Sequence, residues 1–188
     1  MINEQYFQEF PGLKTKRLFL RQQELKDASF LQRLRSNKEV MRYMDSDEHR
    51  DLKTSEAFIH RNLESFQKKN GFFWVITALA SEKFMGDIIL HRIDRTNARA
   101  EIGYTLHPDY WGHGYMTEAL RAVINFGFYD LGLHSIEANI NPANDTSRAL
   151  LLKTGFVKEA YFRENYYYNG QFLDSEIYSL LEKDFKRE

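Results

Sequence analysis

Apolar and polar residues alternate, or apolar residues gather into short runs, in seven segments of the chain, and this pattern predicts β-strands. The second, third and fourth segments follow one another with only short turns between them, so they predict a meander. The predicted strands are residues 17–21, 72–79, 84–93, 100–106, 135–140, 156–162 and 173–181.

Apolar residues at helical spacing predict helices between these strands. Before the second strand we expect a helix capped by Asp27, a short helix over residues 38–44, and a longer helix that starts at Thr54. Residues 115–131 predict a helix that is apolar apart from a narrow polar stripe, so this helix must pack deeply. Another helix is expected to begin near Asn144. The element order predicts an α/β (α+β) fold, in which a mixed sheet of about seven strands is flanked by helices.

Length and charge limit the class of protein. The chain has 188 residues, enough for a core but too few for two ordinary domains, so we expect one domain over 1–188 with residues 1–14 as a loose arm. The net charge of -1 offers no general attraction to nucleic acid or to an anionic membrane. An apolar run of about 18 residues and a basic, apolar leader after Met1 are both missing. These features predict a cytoplasmic protein with no nucleic-acid or membrane partner.

The chain contains no cysteine, which excludes disulfides, thiolate metal sites and a covalent intermediate on a thiol. Any group transfer is therefore expected to pass directly from donor to acceptor. The six histidines lack the spacing of metal ligands, so we interpret them as surface or hydrogen-bonding residues and predict no metal.

A Gly-rich turn, residues 109–114 (Asp-Tyr-Trp-Gly-His-Gly), joins the fourth predicted strand to the long apolar helix. Gly112 and Gly114 would let a ligand approach the backbone, and the unpaired N–H groups of a helix start favour phosphate. A dinucleotide fingerprint would need glycine where Thr117 stands, and no stretch matches a P-loop. The predicted ligand is the polyphosphate of a cofactor, and the alternative is a purely structural turn.

A second motif follows the next predicted strand. Residues 141–147 read Asn-Pro-Ala-Asn-Asp-Thr-Ser, and Gly155-Phe156 closes the motif after an apolar stretch. Together with the 100–104 strand and residues 110–119 (Tyr-Trp-Gly-His-Gly-Tyr-Met-Thr-Glu-Ala), this order resembles the GNAT superfamily of acetyl-CoA-dependent N-acetyltransferases. Within the superfamily it is similar to the branch that acetylates the N-termini of ribosomal proteins. The resemblance extends over nearly the whole chain.

The resemblance implies a mostly antiparallel sheet in which the strands of Glu101 and Ile140 splay apart, with acetyl-CoA as co-substrate in the cleft between them. Free backbone groups would bind the pantetheine, and the Gly-rich turn would hold the pyrophosphate. Asp109 and His113 stand where glutamine or basic residues are common, so the backbone is expected to carry more of the phosphate contact. The implied cofactor-binding residues are Tyr104, Thr105, Leu106, Gly112, His113, Gly114, Tyr115, Met116, Thr117, Asn144 and Ser147.

Acetyl transfer needs a base for the amine, a donor for the carbonyl oxygen and a proton for the leaving thiolate. Glu101 is the candidate base, directly or through water, and the alternative is a carboxylate that only pairs with Arg99 or Arg92. The resemblance assigns Ser147 to the thiolate, with helix capping as its alternative role.

Two positions depart from the family pattern. Leu151 stands where many members have a tyrosine acid, which increases the dependence on Ser147. Tyr166 stands where the ribosomal branch can have a carboxylate base, which increases the dependence on Glu101.

The acceptor side of the cleft is expected to be lined by the charged run 44–51 and by the tyrosines at 166–168 with Phe162. The acidic residues would attract a cationic amine, or the run is only a solvated loop. An α-amino group has a pKa near ~7.7 to 8 against ~10.4 for lysine, so a protein N-terminus is the favoured acceptor. Polyamines, amine-bearing antibiotics, a non-catalytic acyl-CoA-binding module and a homodimer are open alternatives.

Overall fold

The computed structural model describes residues 2–187, whose strands join one sheet. Met1 and Glu188, the ends of the expected domain, lie outside the described residues. The strands are β1 (Leu13–Lys14), β2 (Leu18–Gln22), β3 (Gly71–Ala78), β4 (Phe84–Asp94), β5 (Arg99–Leu106), β6 (Ser135–Ile140), β7 (Val157–Tyr168) and β8 (Gln171–Leu181). They lie side by side in the order β1-β2-β3-β4-β5-β6-β8-β7.

Neighbouring strands are antiparallel except for β5 and β6, which run parallel. The β5–β6 pairing ends where Glu101 lies opposite Glu137. Beyond this step, among the described residues, β5 pairs only with β4 and β6 only with β8, so the sheet opens into a cleft. The predicted mixed, mostly antiparallel sheet with a splayed strand pair is confirmed. It has eight strands rather than about seven, because the two-residue β1 adds to one edge.

Helices cover both faces of the sheet. They are α1 (Ala28–Arg35), α2 (Lys38–Met41), α3 (Leu52–Gln67), α4 (Tyr115–Asn125) and α5 (Asp145–Lys153). Helices α1 and α3 contribute to a core with Val75, while α4 and α5 contribute to a larger core with the neighbouring Trp74. Successive strand residues point to opposite faces, so the two cores lie on opposite sides of the sheet. No helix within residues 2–187 is both long and apolar enough to cross a membrane.

The N-terminal segment packs against the sheet, so the expectation of a loose arm is wrong for its described residues. A 3-10 turn over Glu4–Phe7 buries the Phe7 ring, which lies 4.6 Å from the ring of Phe72. The indole of Trp74 donates a hydrogen bond to the Pro11 carbonyl at 2.7 Å. Apolar burial of these aromatic rings is what orders the segment.

Two helix starts and the last hairpin also differ from expectation. Helix α3 begins two residues before Thr54, because the Asp51 carboxylate accepts the Thr54 N–H at 2.8 Å and caps the helix. Asp27 precedes α1 without capping it, since its carboxylate binds the Arg21 guanidinium at 2.7 Å. The β7–β8 hairpin is longer than predicted and carries the tyrosines at 166–168 on a strand.

Candidate active site

Strand alternation decides which backbone groups of β5 line the cleft. Just beyond this strand, the His107 N–H donates to the Met85 carbonyl of β4 at 2.8 Å. Successive residues direct their N–H and C=O groups to opposite edges of a strand, so Tyr104 and Leu106 direct theirs away from β4, toward the cleft. By the same alternation the Ile102 backbone also points away from β4, where the pairing with β6 ends, a position that the sequence analysis did not include.

Two of the implied backbone contacts need correction. Thr105 directs its backbone groups to β4, and its hydroxyl donates to Asp87 at 2.6 Å, so it shapes the strand rather than lining the cleft. The Leu106 carbonyl accepts the indole N–H of Trp111 at 2.7 Å. The backbone groups of Tyr104 and the N–H of Leu106 are the predicted contacts that this edge still offers.

The Gly-rich turn has the geometry of an anion-binding loop. Gly112 and Gly114 both have φ of +76°, which favours glycine, and Gly114 precedes α4 without a side-chain cap. Among the described residues, no hydrogen bond uses the backbone N–H groups of residues 112–117. These donors lie at the positive end of the helix dipole. They belong to the predicted pyrophosphate contacts Gly112, His113, Gly114, Tyr115, Met116 and Thr117.

Arg17 supports this turn from the loop between β1 and β2. Its Nη1 donates to the His113 carbonyl at 3.0 Å, and its guanidinium lies 4.3 Å from the Tyr115 ring centroid. Its Nε also pairs with Glu118 at 2.6 Å. A cation therefore stands beside the turn although residue 113 is a histidine. Sequence analysis missed Arg17 because it belongs to no motif and lies far from the turn along the chain.

Ser147 and Asn144 come together at the start of α5. The Asn144 Oδ1 accepts the Ser147 N–H at 3.0 Å, so the capping role is present. The Ser147 hydroxyl is 2.7 Å from the Tyr104 hydroxyl, a contact that joins α5 to β5. Burial raises the pKa of Tyr104 to about 12, although the hydrogen bond with Ser147 opposes the shift. Leu151 is fully buried in the core.

Glu101 lies at the apex of the cleft with its side chain 16% exposed. The Arg92 Nη1 donates to Glu101 Oε2 at 2.6 Å, and the His91 Nε2 lies 3.7 Å from Oε1. Arg92 has φ of +52° within an irregularity of the β4–β5 register, which turns its side chain to the carboxylate. Burial, opposed by Glu101, lowers the pKa of His91, so its ring is neutral at pH 7. The alternative ion pair with Arg92 is thus present, whereas Arg99 pairs with Glu137.

The two candidate catalytic side chains reach the cleft from different faces of the sheet. Glu101 and Tyr104 are three positions apart on β5, and an odd offset along a strand directs side chains to opposite faces. Tyr104 contacts Ser147 and the core under α4 and α5, and Glu101 points to the face that carries α1 and α3. The two positions are about 10 Å apart along the strand.

The charged loop and the hairpin tyrosines meet on the acceptor side. The Tyr166 hydroxyl donates to Asp45 Oδ2 at 2.7 Å. A pocket of 410 Å³ lies between residues 45–48, Asn141 after β6, and Tyr168 of the hairpin. Burial and the carboxylates of the loop raise the pKa of Tyr168. The pocket is therefore polar and faces several acidic groups.

The sheet splays after its three parallel residue pairs, and the cleft lies beside a helix start with free backbone N–H groups. Comparison with known proteins assigns the family. Residues 17–157 match the model of the acetyltransferase (GNAT) domain. The match covers more than half of the chain, so the protein belongs to the GNAT family of acetyltransferases and is an acyltransferase enzyme.

Two relatives illustrate the sequence similarity. The N-acetyltransferase YoaA of Bacillus subtilis (strain 168), described as uncharacterized, is 36% identical over 172 residues, which are 92% of this chain and 97% of the relative. The putative ribosomal N-acetyltransferase YdaF of the same organism is 36% identical over 103 residues, 55% of this chain and 56% of the relative.

Solved structures share the fold. An acetyltransferase of the GNAT family from Bacillus anthracis superposes with a TM-score of 0.82 at 25% identity, covering 92% of this chain and 99% of that one. Spermidine N-acetyltransferase from Vibrio cholerae, in complex with CoA and spermine, has a TM-score of 0.79 at 21% identity, with 90% and 98% covered.

Proposed function

We propose that the protein transfers the acetyl group of acetyl-CoA directly to the α-amino group of a protein N-terminus, such as that of a ribosomal protein. The observation that carries the proposal is the cleft itself. It is lined by an open strand edge, by free N–H groups at a helix start, by the Glu101 carboxylate and by the Ser147 hydroxyl. The similarity to YdaF and the lower pKa of α-amino groups support the choice of acceptor.

Acetyl-CoA fits the cleft by its chemistry. The pyrophosphate would accept hydrogen bonds from the N–H groups of residues 112–117, with Arg17 beside them. The pantetheine amides would pair with the free backbone edge at Tyr104. The thioester would then lie along β5 between Glu101 and Tyr104, with the acetyl group toward Glu101 and the sulfur toward the Ser147 hydroxyl. No metal takes part in this scheme.

The reaction forms a C–N bond and an S–H bond and breaks a C–S bond and an N–H bond. The amine nitrogen attacks the thioester carbon from the side of Glu101, which accepts the proton from nitrogen directly or through water. The C–S bond breaks as the tetrahedral intermediate collapses, and the Ser147 hydroxyl donates a hydrogen bond to the departing thiolate. The proton held by Glu101 then passes through solvent to the sulfur, which restores the carboxylate. The products are an acetamide and the free thiol of CoA.

A small cationic amine is the second candidate acceptor. The pocket of 410 Å³ between residues 45–48 and the hairpin is large enough for an extended amine, and its acidic groups favour positive charge. The exposed pair of Arg42 and Arg50 at the same pocket opposes this preference. Polyamines are therefore placed second.

The test is release of CoA thiol from acetyl-CoA with a panel of acceptors. We expect saturable release with peptides that carry a free N-terminus and none with the same peptides after N-acetylation, which is the matched control. Saturation by spermidine but not by peptides would favour the second acceptor. Binding of acetyl-CoA without thiol release for any acceptor would contradict the proposed function.

A further inference from the structure

Tyr104 and Ser147 form an isolated pair of hydroxyl groups. Their oxygen atoms are 2.7 Å apart, and neither has another hydrogen-bond partner among residues 2–187. Each hydroxyl carries one proton, so the bond between them uses one proton and leaves the other free. Which hydroxyl donates therefore decides which of them can serve a ligand.

Chemistry and surroundings favour Tyr104 as the donor. A phenol is more acidic than an aliphatic hydroxyl and is the better donor of the two. Because burial raises the pKa of Tyr104, the phenol keeps its proton throughout the physiological pH range. With Tyr104 donating, the proton of Ser147 is free to point into the cleft.

Ser147 needs such a partner because of its place in the helix. A serine in the first turn can rotate and donate to a nearby backbone carbonyl, which would remove its proton from the cleft. Asn144 holds only the backbone N–H of Ser147 and does not fix the hydroxyl. The phenol of Tyr104 fixes it from β5, while Leu151, one turn further along α5, is fully buried and apolar.

We propose that Tyr104 is a positioning residue whose phenol donates to Ser147 and directs the serine proton to the leaving thiolate of CoA. This inference rests on the proposed acetyl transfer and adds a residue to it. The backbone of Tyr104 also faces the cleft, so a pantetheine chain that pairs with this strand would lie beside the hydroxyl pair.

The test is a double-mutant cycle of Tyr104→Phe and Ser147→Ala, measured as single-turnover thiol release. Tyr104→Phe should lower the rate roughly 10-fold, which corresponds to one lost hydrogen bond, with little change in the KM for acetyl-CoA. In the Ser147→Ala background the same change should have no further effect, because Tyr104 acts through Ser147. The control is Tyr6→Phe, which removes a phenol that donates to Asp130 at 3.3 Å.

The outcomes separate this inference from the proposed function. An active wild type with an unaffected Tyr104→Phe variant would overturn the inference alone. So would a second 10-fold loss in the Ser147→Ala background, since Tyr104 would then act independently of Ser147. A wild type that releases no thiol with any acceptor would overturn both. Melting curves of all variants show whether a loss reflects unfolding.

Discussion

At the scale of a single residue, Glu101 is both the proposed base and one partner of an ion pair. Its Oε2 accepts a hydrogen bond from Arg92 at 2.6 Å, and its Oε1 faces the neutral ring of His91 at 3.7 Å. The Arg92 side chain is 71% exposed, and such exposed ion pairs contribute only about 0–1 kcal/mol to stability. The ion pair with Arg92 therefore contributes little to the stability of the fold. Removal of the Glu101 carboxylate should affect catalysis far more than folding.

Glu101→Gln should lower turnover by roughly 10²- to 10⁴-fold, the usual contribution of a general base, with acetyl-CoA affinity nearly unchanged. The deficit should shrink as the pH rises, because an amine that is already neutral needs no base. Rate profiles against pH and calorimetric titration with acetyl-CoA measure both effects. Arg92→Gln is the matched control, since it removes the ion pair and keeps the carboxylate. Equal losses in the two variants would assign the effect to the ion pair.

At the scale of an element, the backbone conformation of the Gly-rich turn limits which substitutions can test its role. Gly114 has φ of +76°, so a β-branched residue would strain the backbone there before it met any ligand. An added Cβ would lie 3.7 Å from the Arg17 guanidinium, which is ordinary contact. Space is therefore available, and the substitution must be a residue that tolerates positive φ, such as asparagine.

Gly114→Asn should weaken acetyl-CoA binding roughly 10- to 100-fold, because its side chain obstructs charged hydrogen bonds between the turn and the pyrophosphate. Calorimetric titration measures the affinity. Gly170→Asn is the matched control, since Gly170 has φ of +85° in the hairpin turn and open space around an added Cβ. Equal affinities for the two variants would contradict the phosphate-binding role of the turn.

Periodicity predicted the main strands and helices because most of them bury one face of their own sequence, although β7 is mostly exposed. Motifs likewise led to the Gly-rich turn and Ser147, whose local spacing is a signal in one chain. The contact of Tyr104 with Ser147 and that of Arg17 with His113 join residues far apart along the chain, so no window of sequence contains them. The irregularity that turns Arg92 to Glu101 is equally invisible, because it depends on strand register.

At the scale of the whole molecule, a group of buried polar residues, Arg35, His49, Ser55 and Asp87, connects the charged loop 44–51 to the sheet. Arg35 at the end of α1 pairs with Asp87 of β4 at 3.2 Å, and its carbonyl accepts the His49 N–H at 3.2 Å. The His49 ring lies 2.9 Å from the Ser55 hydroxyl of α3 and is 3% exposed. These contacts hold the charged loop against the sheet. Because one of the residues is a histidine, we expect their contribution to stability to depend on pH.

Burial, together with the charge of Arg35, lowers the pKa of His49 from 6.5 to about 4. The unfolded chain therefore binds a proton between pH 6.5 and 4 while the folded protein does not, so stability is lost as the pH falls through this window. The total loss is on the order of 3 kcal/mol. His49→Asn removes the titration, so its free energy of unfolding should depend less on pH. Urea unfolding at several pH values measures the slope.

Between pH 6.5 and 4.5 the fold loses stability through His49 and also through His91, whose pKa burial lowers as well, but not through the buried carboxylate of Glu176. Burial alone would raise the pKa of Glu176, but hydrogen bonds from Lys158, Tyr178 and Arg148 lower it to about 2, so this group loses its contribution only below 4.5. His60→Asn, a change at an exposed histidine of α3, should keep the wild-type slope. If His49→Asn kept that slope as well, His49 would not be the group that weakens the fold in acid.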